Sequence, residues 1–149
     1  MAPRPYDTNL ASEFYVLSVL YRLGFDASLT LGNKKAVDIV LVFDEGHSLT
    51  IDVKAVAGKQ DWLMGDRDLP SSPRHFVVLV GYEGAIADPA RLPRVWVFPV
   101  DVLRQFVRIN EGKTLRYVPR KAILEGAAEY ENAWRLFHNF SPAPPSSPT

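Results

Sequence analysis

The sequence predicts an α/β (α+β) fold in which helices cover the faces of a mixed central sheet. Three observations carry that prediction. The elements read in the order helix, three-strand meander, connection, strand, strand, helices, which suits a mixed sheet with helices packed on it. The runs A-V-D-I-V-L-V-F, F-V-V-L-V-G-Y and R-V-W-V-F-P-V are apolar on both faces, as central strands are. The 149 residues suffice for one core without a second domain. Residues 1–140 are therefore expected to form a single domain, and S-P-A-P-P-S-S-P-T (141–149) a disordered Pro/Ser-rich tail.

Each element has its own signal. Asp7 or Thr8 caps an amphipathic helix carrying Leu10, Phe14, Leu17, Leu20 and Tyr21, which runs to Leu23 and stops at Gly24. F-D-A-S-L-T-L alternates as a half-buried strand does, and Gly32-Asn33 marks a turn. The strand around Asp38 follows. Asp44-Glu45-Gly46-His47 has hairpin chemistry, and Leu49 to Val56 completes the meander. Ala57 to Arg74 reads as a polar connection with a helical turn at Gln60 to Met64. After two further strands, Asp101 caps a short helix packed by Val102, Leu103, Phe106 and Val107. A last helical pattern extends from Pro119 to Phe137 with Tyr130, Trp134 and Phe137 on one side.

Composition narrows the function classes only a little. Lys+Arg and Asp+Glu balance at 17 each, so a nucleic-acid footprint could exist only as a local patch. Without cysteine there is no disulfide framework and no thiolate metal site. No stretch approaches the roughly 20 apolar residues of a membrane helix, and the first residues have no signal-peptide core. The chain is expected to be cytoplasmic, without a membrane partner.

Asp38, Asp52 and Lys54 stand out because they interrupt apolar strands. An ionised side chain there costs several kcal/mol, on the order expected for a buried charge, unless it is paired, metal-bound or neutralised. Alternation puts Leu49, Ile51 and Val53 on one face and Thr50, Asp52 and Lys54 on the other. The hairpin register decides whether Asp38 joins the second group. A three-residue turn sets Asp38 opposite Asp52, and a five-residue turn sets it opposite Lys54. A four-residue turn without a bulge turns it to the wrong face. Read singly, these residues are an ion pair on a solvated strand and a turn-capping aspartate; their coincidence points to chemistry.

Two adjacent carboxylates repel one another unless a divalent cation sits between them. Mg²⁺ (or Mn²⁺) suits hard oxygen ligands and keeps waters that a substrate phosphate can displace. The Val53 backbone carbonyl could add a ligand. Lys54 could hold or deprotonate an attacking water and steady charge developing on phosphorus. These parts describe metal-assisted phosphodiester hydrolysis.

With Asp38 followed by Asp52-Val53-Lys54 on adjoining strands after a helix, the chain resembles the PD-(D/E)xK nuclease superfamily, particularly its archaeal Holliday-junction resolvase-like members. The resemblance covers about residues 8–105 and implies a restriction-endonuclease-like αβββαβ core with its active site at the meander. It implies metal binding by Asp38 and Asp52, with Lys54 as the family's lysine. Glu13 in S-E-F-Y-V-L-S-V-L-Y-R-L-G-F resembles the helix glutamate that helps to bind metal in resolvase-like members. Val37 stands where the motif has proline.

The expected activity is therefore metal-dependent endonuclease cleavage of DNA, in repair, recombination or defence. The alternative is an inactive nuclease-fold module that binds nucleic acid or a protein. Partners would be DNA, a second copy in a homodimer, and a protein supplying target choice. Lys34 and Lys35 would contact a phosphate backbone beside the site, or serve only as a charged turn. Arg74 and His75 could contact phosphate before the fourth strand. Arg104, Arg108, Lys113, Arg116, Arg120 and Lys121 form a basic stretch that could be a DNA footprint or a solubilising surface. Gln60 and Trp62 could line the site or stack on a base, or Trp62 could be structural. Asp61, Asp66 and Asp68 read as capping and solvation, and His47 as a turn residue.

Overall fold

The computed structural model describes residues 7–30, 37–44 and 46–140. Helix α1 (Thr8–Arg22) starts where Asp7 Oδ1 accepts from the Leu10 N–H at 2.9 Å. It ends as Gly24, at φ 88°, donates to the Tyr21 carbonyl at 3.0 Å. Its buried face is Ser12, Glu13, Val16 and Leu20. That face is rotated from the expected apolar stripe, because Leu10, Phe14 and Tyr21 are exposed. Polar residues can face inward here since Ser12 donates to the Thr8 carbonyl at 2.6 Å and lies 3.3 Å from the Tyr82 hydroxyl. Burial raises the pKa of the neighbouring Tyr15 phenol, against the lowering influence of Arg22, so it stays a neutral donor. Tyr21, outside, donates to the Ala27 carbonyl and ties the helix to the next strand.

Strands β1 (Asp26–Leu29), β2 (Ile39–Asp44) and β3 (His47–Val56) form the antiparallel meander. The chain then makes β4 (Trp62–Gly65) before β5 (His75–Gly81), which pairs parallel to β3, and β6 (Arg94–Pro99), which pairs antiparallel to β5. The mixed central sheet therefore has the order β1-β2-β3-β5-β6. Helix α2 (Val100–Leu103) passes into a 3-10 turn, Arg104–Phe106, and the chain continues through β7 (Arg108–Ile109), β8 (Arg116–Val118) and helix α3 (Arg120–Gly126). Strands β4, β8 and β7 make a second small sheet in that order.

Three sequence expectations are corrected. The helical turn at Gln60 to Met64 is instead strand β4, with Trp62 and Met64 buried and Leu63 and Gly65 exposed. The Trp62 indole N–H anchors it by donating to the Val80 carbonyl at 3.0 Å. The αβββαβ order implied a helix between the third and fourth core strands; β4 and irregular chain make that crossover. The helix expected over Pro119 to Phe137 ends at Gly126, and 3-10 turns follow at Ala128–Tyr130 and Trp134–Phe140. The interruption occurs where Glu131 bridges to Trp96 and the Asn132 N–H donates to the Val95 carbonyl at 2.9 Å. Covering the outer edge of β6 takes precedence there over continuing a helix.

Apolar layers sit on both faces of the central sheet. Val16 and Leu20 of α1 pack on Ile39, Leu41, Leu49, Ile51, Val53, Phe76 and Val78, with Phe137 closing the layer. On the other face Val77, Leu79, Trp96 and Phe98 meet Trp62, Leu103, Val118 and Ile123. Every residue of β5 is buried, as its two-sided apolar pattern predicts. Among the described residues no helix is long and apolar enough to cross a membrane.

Candidate active site

The β2–β3 hairpin determines which charges meet. Ile39 pairs with Ile51, Val40 with Thr50, Leu41 with Leu49 and Val42 with Ser48; then Asp44 pairs with His47, leaving Phe43 as a bulge. The loop between Asp44 and His47 is Glu45-Gly46, and Gly46 takes φ 85°. Continued without a bulge, the Asp44–His47 register would carry Asp38 opposite Val53, onto the α1 side. The extra residue shifts the pairing by one, so Ile39 falls opposite Ile51 and Asp38 stands just beyond this last pair, on the register that leads to Asp52. This is the arrangement that a three-residue turn would also have produced.

Asp38 is held from three directions. Its N–H donates to the Ile51 carbonyl at 3.1 Å, and its carbonyl accepts from the Thr30 N–H at 2.9 Å. Its Oδ2 accepts from the Val53 N–H at 2.7 Å. That third bond exists because β3 runs on to Val56 whereas its last pair with β2 is at Ile51, so among the described residues β3 has no strand partner on that side from Asp52 onward. N–H and C=O of a strand residue project to the same side. The Val53 carbonyl therefore lies on the side where β2 has ended.

A cleft of about 630 Å³ opens at this fork. Glu13 and the first turn of α1 form one wall; Asp38, Val53 and Lys54 lie on the sheet side; Gln60, Asp61 and Leu63 complete it. Glu13 is only 5% exposed, and a carboxylate so deep must be compensated. Lys54, half-buried in the wall, makes no ion pair among the described residues. No three His, Cys, Asp or Glu side chains among those residues stand together as a ready-made metal cage. A hard cation that retains water needs only one or two carboxylates and neutral oxygens, which Glu13, Asp38 and the Val53 carbonyl offer.

Asp52 flanks the cleft and is not part of its wall. Its Oδ2 lies 3.2 Å from His75 Nε2, and His75 Nδ1 lies 2.7 Å from Thr50 Oγ1. His75 is 3% exposed, so the phosphate contact expected of it is corrected: it is a buried neighbour of Asp52. Sequence reasoning could not find that contact, because it depends on parallel pairing of Thr50 with His75. The only signal was a histidine directly before an uninterrupted apolar run.

Other candidates separate clearly. Gln60 lines the cleft, with Oε1 accepting from the Gly58 N–H at 3.0 Å. Trp62 is buried in the core, 5.6 Å from Trp96 and edge-on to it. Asp61 accepts from the Arg120 N–H at 2.8 Å, at the start of α3. Arg74 is exposed at the start of β5, away from the cleft wall, and Lys34 and Lys35 lie outside the described residues. Much of the basic stretch is engaged internally. Arg104 bonds Asp68 and the carbonyls of Leu69 and Pro70, Arg116 the Asp66 carbonyl, and Arg120 both oxygens of Glu83 at 2.7 and 2.6 Å.

No protein-family model matches the chain, and a search of curated proteins gives no match. Among solved structures, a bacterial homing endonuclease, I-Ssp6803I, matches with a TM-score of 0.57 at 18% identity, over 89% of this chain and 91% of that one. At that identity the likeness is one of fold: helix, meander, parallel strand and edge strand together make a nuclease fold.

Proposed function

We propose that the chain is a metal-dependent endonuclease of the PD-(D/E)xK type, hydrolysing phosphodiester bonds in DNA with Mg²⁺ or Mn²⁺. The observation that carries the reading is the convergence of Glu13, Asp38, Val53 and Lys54 on one cleft at the β2–β3 fork. The fold shared with a homing endonuclease supports it independently.

Asp38 and Glu13, with the Val53 carbonyl and the adjacent Asp52, would hold the cation. When bound, it would neutralise phosphate oxygens and acidify a water. Lys54 is carried on β3, where pairing with Leu79 of β5 fixes its direction, and would orient the attacking water and offset charge developing at phosphorus. Asp38 is oriented in advance by the Val53 N–H, so little ordering remains when substrate arrives. Exposed Arg74, with Lys34 and Lys35, would contact the DNA backbone.

The test is incubation with plasmid, branched and single-stranded DNA, with Mg²⁺ or Mn²⁺ and with chelator, beside Asp38→Asn and Lys54→Ala. Cleavage that needs metal and is lost in both variants supports the assignment. Cleavage that survives both substitutions overturns it.

A further inference from the structure

The contact between His75 and Asp52 joins the proposed metal site to a buried polar pair that the hydrolysis mechanism does not otherwise use. Thr50 and Asp52 are two residues apart on one face of β3, and His75 is the β5 residue paired with Thr50. The imidazole therefore lies across both, at 2.7 Å from Thr50 Oγ1 and 3.2 Å from Asp52 Oδ2. An ionised Asp52 can only accept, so Nε2 supplies the proton in that bond. The Thr50 hydroxyl meets Nδ1 and fixes the ring plane. Asp52 Oδ1 makes no hydrogen bond among the described residues.

We propose that His75 is a positioning residue for Asp52: anchored by Thr50, it holds Oδ2 and leaves Oδ1 turned out to ligate a divalent cation. The proposal rests on the metal-dependent reading above. A buried imidazole must satisfy both ring nitrogens, and here one of the groups that does so is Asp52, while the remainder of β5, Phe76 to Gly81, is apolar or glycine. Groups that orient ligands typically change metal affinity by about 10- to 100-fold when removed.

Calorimetric titration with Mn²⁺ alone tests this on the wild type, His75→Phe, His75→Gln, Thr50→Val and Asp38→Asn, with thermal melting to confirm folding. His75→Phe keeps ring bulk without a donor and is expected to weaken Mn²⁺ binding about 10- to 100-fold. His75→Gln restores an amide donor toward Asp52 and is expected to recover most of the loss. Thr50→Val should weaken binding less than His75→Phe. Folded His75→Phe that binds Mn²⁺ like the wild type, while Asp38→Asn does not, overturns the positioning role and leaves the metal reading standing. Wild-type protein that binds no Mn²⁺ overturns both. Should His75→Phe fail to fold, Thr50→Val decides: unchanged affinity rejects the proposal and reduced affinity supports it.

Discussion

Charged residues are treated differently at the β2–β3 fork and around the small sheet of β4, β8 and β7. Around the small sheet, cations and carboxylates satisfy each other: Arg120 grips Glu83 with both side chains mostly buried, and Arg104 stitches Asp68 and two carbonyls to the base of α2. At the fork, Asp38 and Asp52 also draw on the backbone and on a histidine. Asp38 takes the Val53 N–H, Asp52 meets His75, and Lys54 stands without an ion pair among the described residues. Charges that pair internally hold a fold together. A lysine held without a counter-ion among the described residues keeps its capacity for a ligand. Within the basic stretch from Arg104 to Lys121, Arg104, Arg116 and Arg120 thus already have partners inside the chain.

The comparison breaks most sharply through Lys54. Lys54→Ala should lower the cleavage rate about 10²- to 10⁴-fold, the range of a lost proton-transfer group. Its unfolding midpoint should remain near wild type, since no ion pair among the described residues is removed; single-turnover cleavage beside thermal melts checks both. Trp62→Ala should do the reverse, costing about 3–5 kcal/mol of stability in urea unfolding, with Mn²⁺ affinity retained in the protein that remains folded. Arg120→Ala leaves Glu83 without its partner in a mostly buried position. A loss of about 2 kcal/mol is expected, less than for a fully buried pair. Asp38→Asn keeps an acceptor for the Val53 N–H, so stability should change by about 1 kcal/mol or less while metal binding and cleavage disappear. At the small end, Asp44→Ala removes an exposed contact to His47 and should cost about 0–1 kcal/mol.

The sequence made the meander legible because its strands obey period two and its turn carries Asp44, Glu45 and Gly46. The facing of Leu49, Ile51 and Val53 away from Thr50, Asp52 and Lys54 follows directly. The inward position of Glu13 was legible only through resemblance, because the apolar stripe of α1 pointed to a different face. Ser12 lies inside through bonds to Thr8 and Tyr82 that no periodicity displays. Strand β4 was missed because it has only four residues and depends on Trp62 reaching Val80. Long-range pairing likewise concealed His75, whose partner Thr50 is remote in sequence. What failed was tertiary; what succeeded was local.

The Phe43 bulge has a consequence for how the hairpin can vary. Residues at a β-turn usually tolerate insertion and deletion, because loops are loosely constrained. Here the offset created at Phe43 is transmitted undiminished along four paired positions to Asp38. Deleting Phe43 itself would only remove the bulge and leave Val42 opposite Ser48, whereas deleting one residue between Ile39 and Val42, with the bulge kept, would move Asp38 by one position. The turn would survive, but that carboxylate would rotate to the other face of the sheet. The hairpin thus acts as a length gauge for the cleft: its far end fixes by count what its near end can hold by charge.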